Sequence, residues 1–322
     1  MTIGEFDLIA RYFTRAPRRA TLGVGDDCAL LAPLPAGQQL AVSSDLLVEG
    51  RHFLSTVAPD RLGHKALAVN LSDLAACGAE PLAFTLALAM PRVDEAFLAG
   101  FARGLFALAD AHRIDLVGGD TTAGPLAICI TVFGALPSGQ ALLRSGARDG
   151  DDLWVSGELG DARLALEAFR GTLSLPGEHF DVVRQRMECP TPRVALGQAL
   201  RGVATSAIDL SDGLVGDLRH VLARSGVGAT VDADVLPRSK LLATLPPALQ
   251  NECTLAGGDD YELLFTAAPA AAPSILTAAA RVGVAVTRIG RIEAMEGLRI
   301  VDAAGVALDQ RFTAFDHFRA AP

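Results

Sequence analysis

The chain has 322 residues, half of them hydrophobic, so it can bury a large core and is expected to form two domains. Its formal net charge of −9 argues against non-specific binding to nucleic acid or to an anionic membrane surface. The five cysteines are far apart and odd in number, which indicates reduced thiols in the cytoplasm rather than a disulfide framework. The N-terminus is unlike a signal peptide, and the longest apolar run, PLAFTLALAMP, is too short to span a bilayer.

The first half of the chain mixes helical and strand patterns. The expected elements are an amphipathic helix at 5–13, the strand LAVSSD ending in Asp45, a helix from about Pro59 to Cys77, a strand at Leu82–Met90, a helix from about Asp94 to His112, and the strands IDLVGG and LAICITVFGAL. Together they predict an α+β layer, the N-terminal domain 1–137.

A stretch rich in Gly, Ser and charged residues follows, and it predicts a linker at 138–149 before a C-terminal α/β domain at 150–322. The second half restarts with the strand LWVSG and helical patterns to about Gly202. TSAIDLSDG then leads a strand into the helix LVGDLRHVLARSG, and YELLFTA, VAVTRIGRI and LRIVDAAG read as strands around an Ala-rich helix.

The chemistry-bearing features are acidic turns. The chain lacks the P-loop, H-E-x-x-H and G-x-S-x-G patterns, and GVGDDC lacks the third glycine of a dinucleotide fingerprint. What remains are turns in which Asp follows or precedes Gly, Ser or Thr: Asp26, Asp27, Ser43, Ser44, Asp45, Asp73, Asp120, Asp209, Asp212, Asp259 and Asp260. Taken singly, such an aspartate is most often a turn former or a helix cap.

Asp73 is different, because it falls inside an apolar helical run where an unpaired charge is costly. Asp209 and Asp212 also lie close together in AIDLSDGL, and lysine occurs only at Lys65 and Lys240. Oxygen-only ligands of this kind suit Mg²⁺, with substrate phosphates completing the coordination. The residues alone therefore favour a metal-dependent phosphate or nucleotide site, while His52 is open to a site role or a structural one.

The order and spelling of these segments resemble the thiamine-monophosphate kinase family, in the superfamily of aminoimidazole ribonucleotide synthetase and selenophosphate synthetase. The likeness runs nearly end to end through GEFDLIARYF, GVGDDCALL, SSDLLVEGRHF, KALAVNLSDLAACGAEP, LVGGDTTAGP, LLRSGARDGDDLWVSGELGDA, SAIDLSDGLVGDL, GGDDYELLF and FDHF. It implies transfer of a phosphoryl group from ATP to thiamine monophosphate, with several Mg²⁺ ions between the phosphate chains. It also implies a homodimer in which the N-terminal domains pair through a β-barrel, and a second α/β domain that closes the cleft.

The resemblance also implies residue roles. The expected metal ligands are Asp27, Ser43, Ser44, Asp45, Asp73, Asp120, Asp209 and Asp212, of which Asp45, Asp73, Asp120, Asp209 and Asp212 are expected to be catalytic. ATP is expected to contact Gly119, Asp120, Arg144 and Ser211, and thiamine phosphate to contact His52, Asp259 and Phe315.

This chain departs from the family pattern at two places. It has GGDDYE where the family often has GGEDYE, so the side chain of Asp259 is one methylene shorter, and Ala102 replaces a frequent aromatic residue near the adenine. Two other interpretations stay open: another ATP-using synthetase of the superfamily, and a non-catalytic nucleotide- or metal-binding module.

Overall fold

The computed structural model describes residues 4–308 and Phe312. The described residues form two compact units: one runs to Leu74 and resumes at Ala79–Gly139, and the other holds Ala75–Gly78 and the chain from Gln140 onward. Within the described residues, no helix is long and apolar enough to cross a membrane.

The elements of the first unit follow the predicted order, with two short strands added, one on each side of GVGDDC. They are α1 (Glu5–Tyr12), β1 (Ala20–Leu22), β2 (Leu30–Leu31), β3 (Gln38–Val48), α2 (Pro59–Cys77), β4 (Glu80–Met90), α3 (Glu95–His112), β5 (Asp115–Ala123) and β6 (Ala127–Pro137). The prediction that the first long strand ends in Asp45 is wrong, because β3 continues for three residues and places Asp45 inside the ladder.

The larger sheet of this unit has the order β3-β6-β4-β5, with β4 and β5 parallel and the other pairs antiparallel. Because side chains alternate across a strand, one face carries buried residues such as Leu47, Ile130 and Leu86. The opposite face leaves Val42 56% and Leu46 54% exposed. In the described part of the chain this sheet is open and does not close into a barrel.

Two glycines let α2 and α3 pack at backbone distance. A Cβ built on Gly63 would lie 2.1 Å from the carbonyl oxygen of Phe101, and one on Gly104 would lie 1.7 Å from that of Asp60. The start of α3 is capped by Asp94, whose carboxylate accepts the N–H groups of Ala96 and Phe97, both at 3.0 Å.

The second unit contains β7 (Asp152–Ser156), α4 (Asp161–Phe169), α5 (Gly177–Glu188), α6 (Val194–Ala199), β8 (Ser206–Asp209), α7 (Leu214–Ser225), β9 (Gly228–Asp232), α8 (Pro247–Ala256), β10 (Leu263–Ala267), α9 (Ala272–Arg281), β11 (Val286–Glu293) and β12 (Gly297–Val301). Its sheet has the order β12-β9-β11-β7-β10-β8, in which only the β12–β9 pair is parallel among the described strands. The prediction missed β9 and α8 and extended the strands YELLFTA and LRIVDAAG too far.

The core of this unit forms where one face of the sheet meets α7 and α8. Val155 and Leu264 of the sheet share a buried cluster with Leu218 of α7 and Leu255 of α8. A second cluster joins α4, α5 and α8. This packing fixes the ends of β8 and α7, between which the SDG turn lies.

Candidate active site

In the first unit, α2 brings polar side chains against the middle of β3. Asn70 and Asp73 lie three residues apart, on one side of the helix. The hydroxyl of Ser43 donates to Asp73 Oδ2, and the N–H of Asp45 donates to Asn70 Oδ1 at 3.1 Å. The structure thus groups the predicted residues Ser43, Asp45 and Asp73 on the buried face of the sheet, Ser43 and Asp73 through their side chains and Asp45 through its backbone N–H.

Ser44 lies on the opposite face, since adjacent strand residues point to opposite sides. Its hydroxyl donates to the carbonyl oxygen of Ile130 at 3.2 Å and lies 2.9 Å from Thr131 Oγ1. The side chains of Ser43 and Ser44, both predicted as metal ligands, therefore lie on opposite faces of the sheet.

Gly119 and Asp120 belong to β5, at the other edge of the sheet. Gly119 has a φ of +149°, and a Cβ there would lie 1.8 Å from the carbonyl oxygen of Leu86, so this position requires glycine. Asp120 is aligned through Ala87 and Cys129 with Leu46, and so it shares the exposed face. Three strand spacings separate it from β3, about 14 Å.

Asp27 and His52 lie in loops of the same unit. Asp27 is exposed, and its N–H donates to Asp26 Oδ1 at 2.8 Å. His52 follows the end of β3, where its Nδ1 accepts the N–H of Val48 at 3.0 Å. Its carbonyl oxygen accepts from Nζ of the buried Lys65 at 3.2 Å, which ties this loop to α2.

In the second unit, two predicted motifs meet through their backbones. The turn of Ser211, Asp212 and Gly213 joins β8 to α7, next to Asp209 at the end of β8. The N–H of Asp259 donates to the carbonyl oxygen of Ser211 at 2.9 Å. The N–H of Tyr261 donates to the carbonyl oxygen of Leu210 at 2.8 Å, so the IDLSDG and GGDDYE segments form one local site.

The GGDDYE loop has an unusual backbone. Asp259 and Tyr261 have φ values of +67° and +50°, in the left-handed region that costs a non-glycine residue about 1 kcal/mol. The hydroxyl of Tyr261 donates to Asp259 Oδ1 at 3.1 Å and so orients the carboxylate predicted to contact thiamine. Strain of this kind is retained where the surrounding contacts fix the loop.

Asp217, one turn into α7, is a site candidate that the sequence analysis missed. Its carboxylate is buried and accepts the N–H groups of Asp212 and Gly213, both at 3.1 Å. Burial and the neighbouring charge of Asp212 raise the pKa of Asp217 to about 7, while the two N–H donors and the charge of Arg144 act in the opposite direction. Arg144 therefore lies within electrostatic reach of this turn.

The carboxylates of Asp260 and Glu262 anchor the GGDDYE loop to neighbouring segments. The N–H of Gly160 lies 3.0 Å from both oxygens of Asp260, and burial of this carboxyl raises its pKa well above the usual range. Glu262 is buried and forms an ion pair with Arg193, whose Nε donates to Glu262 Oε2 at 2.6 Å. It also accepts a hydrogen bond from the hydroxyl of Ser156 at 2.5 Å.

The donor set suits Mg²⁺, because the residues at these turns offer carboxylate, hydroxyl and carbonyl oxygens. No group of three or more His, Cys, Asp or Glu side chains that could hold a metal ion is present among the described residues. Phe315, predicted to contact thiamine, lies outside the described residues.

Comparison with known proteins defines the class of this fold. Residues 25–136 match the family model of the AIR synthase related protein N-terminal domain, and residues 148–303 match that of the C-terminal domain. The chain is thus a two-domain AIR synthase related protein with mixed helices and sheets.

Full-length relatives identify the family within that class. The chain is 46% identical over 328 residues to a thiamine-monophosphate kinase of Salmonella typhimurium, covering 99% of both chains. A crystal structure of thiamine-monophosphate kinase from Stenotrophomonas maltophilia K279a is 45% identical, with a TM-score of 0.84 over 93% of this chain and 97% of that one. A structure of AaThiL complexed with AMPPCP and TMP is 29% identical, with a TM-score of 0.76 over 89% of this chain and 90% of that one. The chain belongs to the thiamine-monophosphate kinase family.

Proposed function

We propose that this chain phosphorylates thiamine monophosphate with ATP to give thiamine diphosphate. The observation that carries the proposal is the nearly full-length likeness to curated thiamine-monophosphate kinases and to AaThiL complexed with AMPPCP and TMP. The acidic turns of both units supply the oxygen ligands that a phosphoryl transferase needs.

The chemistry requires positioning more than proton transfer. The acceptor is a phosphate oxygen that is already anionic near neutral pH, so the reaction needs no general base, and direct in-line transfer follows without an enzyme-bound phosphate. The difficulty is the mutual repulsion of two anionic phosphate chains. Mg²⁺, when bound, screens that repulsion and stabilises charge on the transferred group.

The residues proposed to hold several Mg²⁺ ions are Asp27, Ser43, Ser44, Asp45, Asp73, Asp120, Asp209 and Asp212. Ser43, Asp45 and Asp73 support this role by their clustering on β3 and α2. Gly119, Asp120, Arg144 and Ser211 are proposed to bind ATP, and His52, Asp259 and Phe315 to bind thiamine phosphate. Ser211 and Asp259 are joined by a backbone hydrogen bond, which is the arrangement expected if one local site presents both substrates.

A homodimer is part of the proposal, formed through the exposed face of the β3-β6-β4-β5 sheet. Leu40, Val42 and Leu46 are 47, 56 and 54% exposed on β3, an edge strand that a second copy could cover. Pairing of two such sheets is the proposed β-barrel interface. Asp120 lies on the same face, so the partner's sheet would pass close to it.

The proposed domain limits are 1–137 and 150–322, with 138–149 as a linker, and the change of compact unit between Gly139 and Gln140 supports them. A cytoplasmic location is also proposed. It is supported by the odd number and wide spacing of the five cysteines, a pattern typical of reduced thiols.

The test is direct. The protein is incubated with ATP, Mg²⁺ and thiamine monophosphate, and thiamine diphosphate and ADP are quantified. Thiamine diphosphate should form in a 1:1 ratio to ADP, and free thiamine should be a poor acceptor. Comparable turnover of free thiamine would contradict the acceptor, and a phosphorylated enzyme that passes its phosphate to thiamine monophosphate would contradict direct transfer.

A further inference from the structure

Asp217 occupies an unusual place for a helical carboxylate. It lies one turn inside α7, yet its side chain reaches back to the residues that precede the helix. It is 3% exposed, and its Oδ2 atom alone accepts the N–H groups of both Asp212 and Gly213. A buried carboxylate in this position fixes the direction of two consecutive peptide groups in the SDG turn.

The other side of the turn is held at backbone distance by the segment 256–259. A Cβ on Gly258 would lie 2.5 Å from the carbonyl oxygen of Ser211, and one on Gly213 would lie 3.0 Å from the backbone of Ala256. The hydrogen bond from the N–H of Asp259 to the carbonyl oxygen of Ser211 closes this contact at 2.9 Å. The turn is therefore clamped between Asp217 and the GGDDYE loop.

We propose that Asp217 is a positioning residue, which sets the SDG turn so that the side chains of Ser211 and Asp212 keep a fixed relation to Asp259. This inference rests on the proposed function, in which Ser211 and Asp212 serve ATP and metal while Asp259 serves the acceptor. Asp217 itself touches neither substrate. It acts through the peptide groups that it orients.

The competing role is a purely structural one, in which Asp217 only stabilises the start of α7. The two roles predict different effects of losing the Asp217 carboxylate. A structural cap affects catalysis only as far as the protein unfolds. A positioning residue affects turnover in protein that is fully folded.

Three substitutions separate these roles. Asp217→Asn retains an oxygen that can accept both N–H groups, Asp217→Ala removes it, and Asp217→Glu keeps the charge but moves the oxygen by one methylene. The matched control is Val221→Ala, which removes buried side-chain volume one turn further along α7 without touching the turn.

Two readouts are needed: kcat and KM at a temperature well below every melting point, and the rise in melting temperature produced by Mg²⁺ with a non-hydrolysable ATP analogue. We expect Asp217→Ala and Asp217→Glu to lower kcat about 10- to 100-fold, the range for residues that orient a ligand-binding group. Both should also reduce the nucleotide-induced rise in melting temperature. Asp217→Asn should recover most of the activity, and Val221→Ala should lose stability while keeping kcat.

If Asp217→Ala keeps the parent's kcat, or if Val221→Ala loses as much kcat at an equal drop in melting temperature, the positioning role is wrong. A parent protein that makes no thiamine diphosphate would instead overturn the proposed function. The nucleotide-induced shift then still decides the inference, since an unchanged shift in Asp217→Ala contradicts it.

Discussion

At the scale of single residues, the carboxylate of Asp259 depends on a neighbour two positions away. The left-handed backbone at Asp259 and Tyr261 turns both side chains so that the Tyr261 hydroxyl reaches Asp259 Oδ1 at 3.1 Å. The tyrosine hydroxyl therefore restricts the rotation of the Asp259 side chain.

Tyr261→Phe tests this contact. We expect the KM for thiamine monophosphate to rise about tenfold or more while the KM for ATP stays unchanged, because a hydrogen bond to a charged group contributes about 1.5–3 kcal/mol and only the acceptor site loses it. Steady-state kinetics with each substrate varied in turn measures the split. Tyr12→Phe is the matched control, since the Tyr12 hydroxyl donates to the exposed Glu95 instead. Equal changes in both KM values would contradict the contact's role.

Asp260 leads to a prediction about pH. Burial raises its pKa well above the usual 3.8, and the charges of Glu262 and Asp161 add to the shift while the Gly160 N–H and Arg186 oppose it. The folded state therefore holds a proton that the unfolded state releases near pH 3.8. Its stabilising contribution is complete below that pH and is lost as pH rises through the folded-state pKa.

Asp260→Asn removes this titration but keeps a group that can accept the Gly160 N–H. The melting temperature of the variant should therefore rise relative to the parent as pH increases from 4 to 8. Thermal melts across this range measure the difference. A constant difference at every pH would show that the Asp260 carboxyl does not titrate with folding.

At the scale of elements, α2 and α3 cross at backbone distance through Gly63 and Gly104. In an isolated helix, Gly→Ala is favourable by about 1 kcal/mol. At Gly104 the packing reverses this preference, because a Cβ would lie 1.7 Å from the carbonyl oxygen of Asp60. The two helices would have to separate. That movement would also shift α2, which holds Asn70 and Asp73 against β3.

Gly104→Ala should therefore lower the free energy of unfolding by about 1–3 kcal/mol, as overpacked core positions do. Gly177→Ala is the matched control, because its Cβ position at the start of α5 has no described atom within 4 Å apart from its chain neighbours and the backbone of its own helix. It should be neutral or slightly stabilising. Denaturant titrations of both variants check this, and a neutral Gly104→Ala would contradict the close packing.

Local signals predicted the helices α2 and α3, whereas α8 was missed. Asp94 marks the start of α3 by its capping chemistry, and α2 has the bounds that its pattern predicts. Asp45 was misplaced at a strand end because β3 keeps pairing with β6 to its last residue, Val48, which no local signal encodes. Asn70 was missed for a similar reason, because its hydrogen bond to the N–H of Asp45 depends on the packing of α2 against β3.

At the scale of the whole molecule, the acidic turns could be found from sequence, but their grouping could not. Ser43 and Ser44 are adjacent in the chain and lie on opposite faces of the sheet, while Ser43 and Asp73 are thirty residues apart and share a hydrogen bond. Strand pairing between β3 and β6 and the approach of α2 decide these relations. Both are long-range contacts that residue patterns do not specify.

The exposed sheet face gives a prediction about assembly. The parent should have about twice the mass of the 33.5 kDa chain in solution, and a charge on that face, Val42→Asp, should produce monomers. Leu276→Asp is the control, because Leu276 is similarly exposed at 53% but lies on α9. Sedimentation equilibrium measures both. A monomeric parent, or a Val42→Asp variant that stays dimeric, would contradict the proposed interface.

A carboxylate that serves as a metal ligand lowers the stability of the metal-free protein. If Asp73 is a metal ligand, the metal-free protein carries repulsion between like charges, and Asp73→Asn relieves it while keeping an oxygen that can accept the Ser43 hydroxyl. The variant should then melt in chelator at or above the temperature of the parent. With Mg²⁺ and ATP the order should reverse, because the parent gains ligand-linked stabilisation, about 2.7 kcal/mol at a hundredfold excess over Kd, that the variant largely loses.

Asp94→Ala supplies the contrast, since Asp94 caps α3 with two backbone hydrogen bonds. It should lose roughly 1 kcal/mol in chelator and keep the full shift with Mg²⁺ and ATP, because a cap stabilises the fold equally with and without ligand. Melts of parent and both variants in the two buffers compare these patterns. If Asp73→Asn behaves like Asp94→Ala, then Asp73 is a structural carboxylate, and the cluster of Ser43, Asp45 and Asp73 is not a metal site.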